Sequence, residues 1–271
     1  MKNTYRSPIL VALFFLASNL NSTAQSPGWS INLRDSMGDE KSANSIIKIN
    51  VPALFFKNFS FQYEKAVGKK QAFAIALRYR PEGSIPFQQT IADLFTDTTI
   101  RLDLARMGNL GITPEYRFYL GKKGALQGLY LGPFLSYNRY SGDAPINYWG
   151  YNSQTNQFIP RVAVFKGSIH TFTAGLQVGA QWRLSNKFSL DWWIVGFNYG
   201  VNSGDFKYRG SLTVDEQTTL DLVKLRPMKE LLSSVIKIDI YEPPNANGAA
   251  FKTSGQWFGV RAMGINLGYR F

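Results

Sequence analysis

The chain contains one histidine and no cysteine. His170 is thus the only imidazole that could serve as a general base, and Ser168 shares its face in an extended segment. Together they offer the start of a serine hydrolase. No carboxylate stands near them in sequence to orient the ring, as a triad requires, so they read more simply as a rim histidine beside aromatic residues. Without cysteine there are no disulfides, thiolate metal sites or thiol nucleophiles. P-loop, GxGxxG, HExxH and EF-hand patterns are absent. Neither a cofactor nor a metal site is expected.

A second set carries charge. Lys48, Glu64, Arg78, Arg80, Glu115, Arg117, Arg183 and Asp191 each fall on the polar row of an alternating segment. Lys48, Glu64, Glu115, Arg117, Arg183 and Asp191 are placed to meet inside a narrow lumen. They could form an ion path, a binding pocket, or a salt-bridge network that fills the interior. Arg139 and Arg261 fall on the opposite, outward parity near one rim, where a long side chain can reach water.

The elements that must position these residues are strands of period two, since successive strand side chains point to opposite faces. From Thr171 to Leu184, Phe172, Ala174, Leu176, Val178, Ala180, Trp182 and Leu184 share one face. Thr171, Thr173, Gly175, Gln177, Gly179, Gln181 and Arg183 share the other. Such a run outlasts the usual globular strand of about 5–6 residues and suits a tilted membrane strand of about 9–11. The final segment repeats the pattern: Met263, Ile265, Leu267, Tyr269 and Phe271 lie opposite Ala262, Gly264, Asn266, Gly268 and Arg270. Further strands are expected at 46–56, 58–66, 71–80, 109–120, 128–140 and 188–201, with parity ambiguous after Trp192-Trp193. Pro114 and Pro133 remove ladder donors and predict bulges.

Short lysine turns follow strands two, four and six, at 67–70, 121–124 and 185–187. Long connections follow strands three, five and seven, at 81–108, 141–167 and 202–255. That asymmetry predicts an all-β, antiparallel up-and-down transmembrane barrel of eight strands, with both termini in the periplasm and long loops outside. Ten strands are the alternative, with 235–242 pairing against 208–214. A helix over 218–234, where leucines recur at near-helical spacing, is an equal possibility, and either would make an ordered extracellular cap. Tyr148, Trp149 and Tyr151, on a loop, could stack on sugar.

At the N-terminus, Lys2 and Arg6 precede the apolar run Ile9 to Leu16, and Ser22-Thr23-Ala24 offers a cleavage site. Residues 1–24 read as a signal peptide, 25–45 as a periplasmic segment and 46–271 as the barrel. The run is too short for a membrane-spanning helix, which needs about 20 residues. Net charge is +12, or +10 from Gln25 onward. The charges are dispersed and no nucleic-acid-binding motif accompanies them, so no nucleic acid partner is expected. Charged residues at 18% with aromatics at 15% and 24 glycines suit a barrel better than a helical domain.

Ile47-Lys48-Ile49-Asn50, Phe61-Gln62-Tyr63-Glu64-Lys65, Pro114 to Gly121, Gly128 to Pro133 and the terminal Gly268-Tyr269-Arg270-Phe271 carry a resemblance. With them the chain resembles small outer-membrane barrels of OmpA/OmpX type, and most of all the uncharacterised Bacteroidota porin-like barrels. The resemblance implies outer-membrane insertion among lipids and lipopolysaccharide. It also implies that Tyr269 and Phe271 on the last strand signal to the barrel-insertion machinery. It implies no reaction. The functional expectation is a non-enzymatic barrel, structural or presenting its long loops to an extracellular ligand. The alternatives are a porin-like channel or transporter for small solutes and, remotely, an outer-membrane lipid hydrolase. A soluble secreted β-sandwich is the alternative to the whole scheme.

Overall fold

The computed structural model describes residues 43–89, 101–152, 155–233 and 236–271. The expected signal peptide, its cleavage site, most of the 25–45 segment and part of the 81–108 connection lie outside the described residues. In chain order come β1 (Ser45–Asn50), α1 (Val51–Phe55), β2 (Phe59–Gly68), β3 (Gln71–Ser84), β4 (Arg106–Tyr119), β5 (Gly128–Asn152), β6 (Gln157–Arg183) and β7 (Phe188–Arg209). A helical stretch follows: α2 (Val214–Thr218), a π-helical segment (Thr219–Leu225) and α3 (Arg226–Leu232). The chain ends with β8 (Ile236–Asn245) and β9 (Gly248–Arg270).

Every described strand pairing is antiparallel, and the fold is all-β. The order β1-β2-β3-β4-β5-β6-β7-β9 closes on itself because β9 also pairs with β1, giving a ring through eight strands. β1 holds only the lower part of β9, opposite Asn266 to Arg270. The upper part, Gly248 to Gly255, pairs instead with β8. The 235–242 segment is therefore a strand, but its partner is β9 and not 208–214.

Alternation sets the two faces. Phe61, Leu77, Ile112, Leu135, Phe172, Phe197 and Leu267 are exposed outside the ring, while Gln62, Ala76, Thr113, Ser136, Thr173 and Asn266 are buried inside it. A two-sheet sandwich would bury the first set, and this fold buries the second.

Four differences from the sequence reading have local causes. β1 stops at Asn50 because its side chain accepts the Ala53 N–H at 2.9 Å and Pro52 opens α1. Neither Pro114 nor Pro133 makes a bulge: β4 and β5 keep one register across both, from Ile112↔Tyr137 through Glu115↔Phe134 to Phe118↔Leu131. The bulge falls at Ile194, where Val178 opposes Val195 but the next β6 residue, Gly179, opposes Trp193. β7 and β9 stay in register with each other there, so both strands exchange faces together. Below that level Asp191, Trp193, Gly264 and Asn266 are buried; above it Asn202, Phe251 and Thr253 are. Finally, much of the expected loop at 141–167 is strand, with Tyr148, Trp149 and Tyr151 on β5.

β5, β6, β7 and β9 have 25, 27, 22 and 23 residues, against six in β1. Their upper halves, with β8, form a half-sheet standing above one flank of the ring. Its inner face carries Ile146, Phe165, Ile238 and Phe251, and Leu212, Leu220 and Leu225 cover them. The helical stretch begins on a capping box in which Thr213 and Glu216 bond each other's backbone N–H. Burial in this dry core, with the Tyr208 phenol beside it, pushes the Tyr148 phenol up to about 12.

Candidate functional site

Lys48 on β1, Glu64 on β2, Glu115 and Arg117 on β4 and Asp191 on β7 converge in the lower half of the ring. Their side chains are 0% exposed. Lys48 Nζ pairs with Glu64 and donates to Asp191 Oδ2 and Gln181 Oε1, both at 2.6 Å. Arg117 reaches Glu115 Oε1 and Asp191 Oδ2 at 2.9 Å, Glu64 Oε2 at 3.3 Å and Gln62 Oε1 at 3.1 Å. Its guanidinium carbon lies 4.2 Å from the Tyr130 ring centre. The Tyr119 hydroxyl donates to Glu64 Oε1 at 2.6 Å and that of Tyr130 to Asp191 Oδ1 at 2.9 Å.

Charge-assisted bonds of this kind offset the desolvation of buried ions only when their geometry is good and their remaining hydrogen-bonding capacity is used. Small residues opposite make the room. A Cβ on Gly132 would stand 2.6 Å from Glu115 Oε1, and one on Gly179 would strike the Tyr130 hydroxyl. Ile46, Ala72, Leu126 and Trp193 pack around the base. The result is a plug at the short-turn end.

The remaining residues of the charged set lie elsewhere. Arg183 sits exposed at the short-turn rim, bonded to Ser185 and Asn186, because it is the last residue of β6 and the ring no longer encloses it. Arg78 and Arg80 lie higher on β3, lining a cavity of about 170 Å³ above the plug. Arg261 departs from its expected outward parity. The face exchange at Ile194 turns it inward, with Nη1 3.8 Å from Glu115 Oε2 and its guanidinium against the Trp193 and Phe134 rings at 4.2 and 4.9 Å. Strict alternation from the C-terminus could not locate that exchange; the Trp192-Trp193 ambiguity was its only sequence signal.

His170 is exposed on the outer face, with Nδ1 2.7 Å from the Tyr137 hydroxyl and Nε2 3.3 Å from Ser168 Oγ. A phenol thus occupies the position from which a carboxylate would orient a catalytic imidazole. Arg139 keeps its outward parity, in a surface cleft with Arg106, Asp143, Lys166 and Lys207. Among the described residues, no cluster of three histidines or carboxylates could hold a metal ion.

The family described as a protein of unknown function, DUF3575, matches residues 30–222, which take in β1 to β7 and the start of the helical stretch. The chain belongs to the DUF3575 family. All the plug carboxylates, Lys48 and Arg117 lie within the DUF3575 match, whereas Arg261 and β9, which close the ring, lie beyond it. No curated protein and no solved structure matches the chain.

Proposed function

We propose that this DUF3575 protein is an outer-membrane β-barrel of non-enzymatic character, closed at its periplasmic end by the charged plug and working at its extracellular end. The observation that carries this is the inverted dressing of the ring, with apolar side chains outside and ions within. Exposed apolar surface of this extent is foreign to soluble monomers.

The band also has the right height. From Phe172 to Trp182 on β6 there are ten residue steps of about 3.3 Å, which at a tilt of about 45° rise about 23 Å, close to the apolar band of about 25 Å in such barrels. Immediately above it, Arg139, His170, Ser203 and Ser254 stand opposite one another across β5, β6, β7 and β9 and mark the polar boundary. At the lower edge the Trp182 and Trp192 rings stack at 6.5 Å and Phe188 meets Tyr269 edge-on, as interfacial aromatics would. The short lysine turns then face the periplasm. Tyr269 and Phe271 are exposed on the outside of the seam, where the insertion machinery would meet them. Lipopolysaccharide would surround the upper rim.

Cell fractionation tests this directly. The protein should be recovered with outer membranes, resist extraction without detergent, and migrate faster on gels unboiled than boiled. Recovery in the soluble periplasmic fraction would end the barrel reading.

A further inference from the structure

The upper interior of the ring is built differently from the plug beneath it. Three arginines, Arg78, Arg80 and Arg261, line its cavity of about 170 Å³, and among the described residues no aspartate or glutamate does. Among the described residues, Arg78 makes no hydrogen bond or ion pair and Arg80 bonds only the Ser84 carbonyl, at 2.6 Å. Arg261 is clamped between two aromatic rings, yet its Nε and Nη1 donate to nothing among the described residues. Glu115, which it approaches at 3.8 Å, is already bonded by Arg117.

A second observation points the same way. Asn109, 7% exposed, lines this cavity with both amide atoms unpartnered. Buried polar groups left without partners are costly and rare, and a cluster of them marks the place of an absent partner. The unmet groups in this confined space are the N–H donors of Arg261 and Asn109 and the amide oxygens of Asn58 and Asn109, with the Arg78 guanidinium beside them. Guanidinium forks match the oxygens of a carboxylate or phosphate group.

We propose that this cavity is a binding site for a small oxyanion, a solute bearing a carboxylate or phosphate, held by Arg78 and Arg261 and oriented by the Asn109 amide. The site rests on the closed ring and goes beyond the membrane reading, which would stand without it.

The test is calorimetric titration of the full mature protein in non-ionic detergent, with inorganic phosphate and succinate as probes and glucose as the neutral control. Saturable binding of at least one anion is expected, with none of glucose. Arg78→Gln should weaken it at least tenfold, and Asn109→Leu, which keeps the side chain's shape but removes the orienting amide, should weaken it severalfold. Arg139→Gln, outside the ring, should leave it unchanged. Arg78→Lys keeps the charge but loses the fork and should bind with intermediate affinity, so a misfolded glutamine variant does not end the test. No saturable heat with either anion in protein that still shows heat-modifiable migration would overturn the site alone. Equal binding by wild type, Arg78→Gln and Arg78→Lys would overturn it too, reducing the signal to surface charge. Loss of heat-modifiable migration in the wild type would count against the membrane barrel instead.

Discussion

Arg117 holds Glu64, Glu115 and Asp191 in place at once, with Gln62 and the Tyr130 ring completing its surroundings. Removing such a group strands carboxylates in a space without water, and breaking a buried pair costs about 3–5 kcal/mol. Arg117→Ala is therefore expected to destabilise the ring by about 3–5 kcal/mol, measured as a lowered midpoint of urea unfolding followed by tryptophan fluorescence in lipid vesicles. Parity in the sequence was enough to turn Lys48, Glu64, Glu115, Arg117 and Asp191 inward, because alternation is unbroken on β1, β2 and β4 and Asp191 precedes the bulge at Ile194 on β7. It placed Arg261 on the wrong face, since one extra residue on β7 reverses every side chain above it. Tyr119 and Gln181 were legible as inward residues, but nothing in residue spacing shows which inward residues share a level; strand register does.

The helical stretch between β7 and β8 folds back over the inner face of the half-sheet, seated by Leu220 and Leu225, both fully buried. Large-to-small changes in such cores cost about 2–5 kcal/mol. Leu220→Ala with Leu225→Ala should free this stretch while the ring stays closed. The expected readout is rapid cleavage by externally added protease between α2 and α3, with heat-modifiable migration retained. Loss of both together would show that the helices and the ring fold as one unit. Leucine spacing signalled this helix and alternation signalled β8, and both exist. Their partners were illegible because β8 pairs across a two-residue turn with β9, and β9 itself takes the edge of β7 at Tyr208 and Arg209 that β8 would have needed. The long runs of β5 and β6 were hidden for another reason. Their upper halves bury apolar residues on the inside, so the polar-in rule that reveals the lower halves no longer applies there.

For the molecule as a whole, the proposed barrel makes the plug a prediction about conductance. An eight-stranded ring has an interior about filled by side chains, and here the ions at the short-turn end are inaccessible to water. Planar bilayers containing the purified protein are expected to show no steady conductance. Arg117→Ala with Lys48→Ala provides the comparison in the same membranes: opening steps there and none in the wild type would identify these two cations as the obstruction. Stepwise conductance in the wild type would restore the porin-like alternative.

The unequal strand lengths have a geometric consequence. With six residues in β1 and more than twenty in each of β5, β6, β7 and β9, the mouth is cut obliquely, like the end of a quill. Its low lip, formed by Phe56, Asn58, Pro86 and Met107, borders the arginine-lined hollow. If the ring sits in the bilayer as proposed, a solute would approach sideways, skimming the headgroup layer, while the tall wall behind screens the hollow from the open medium.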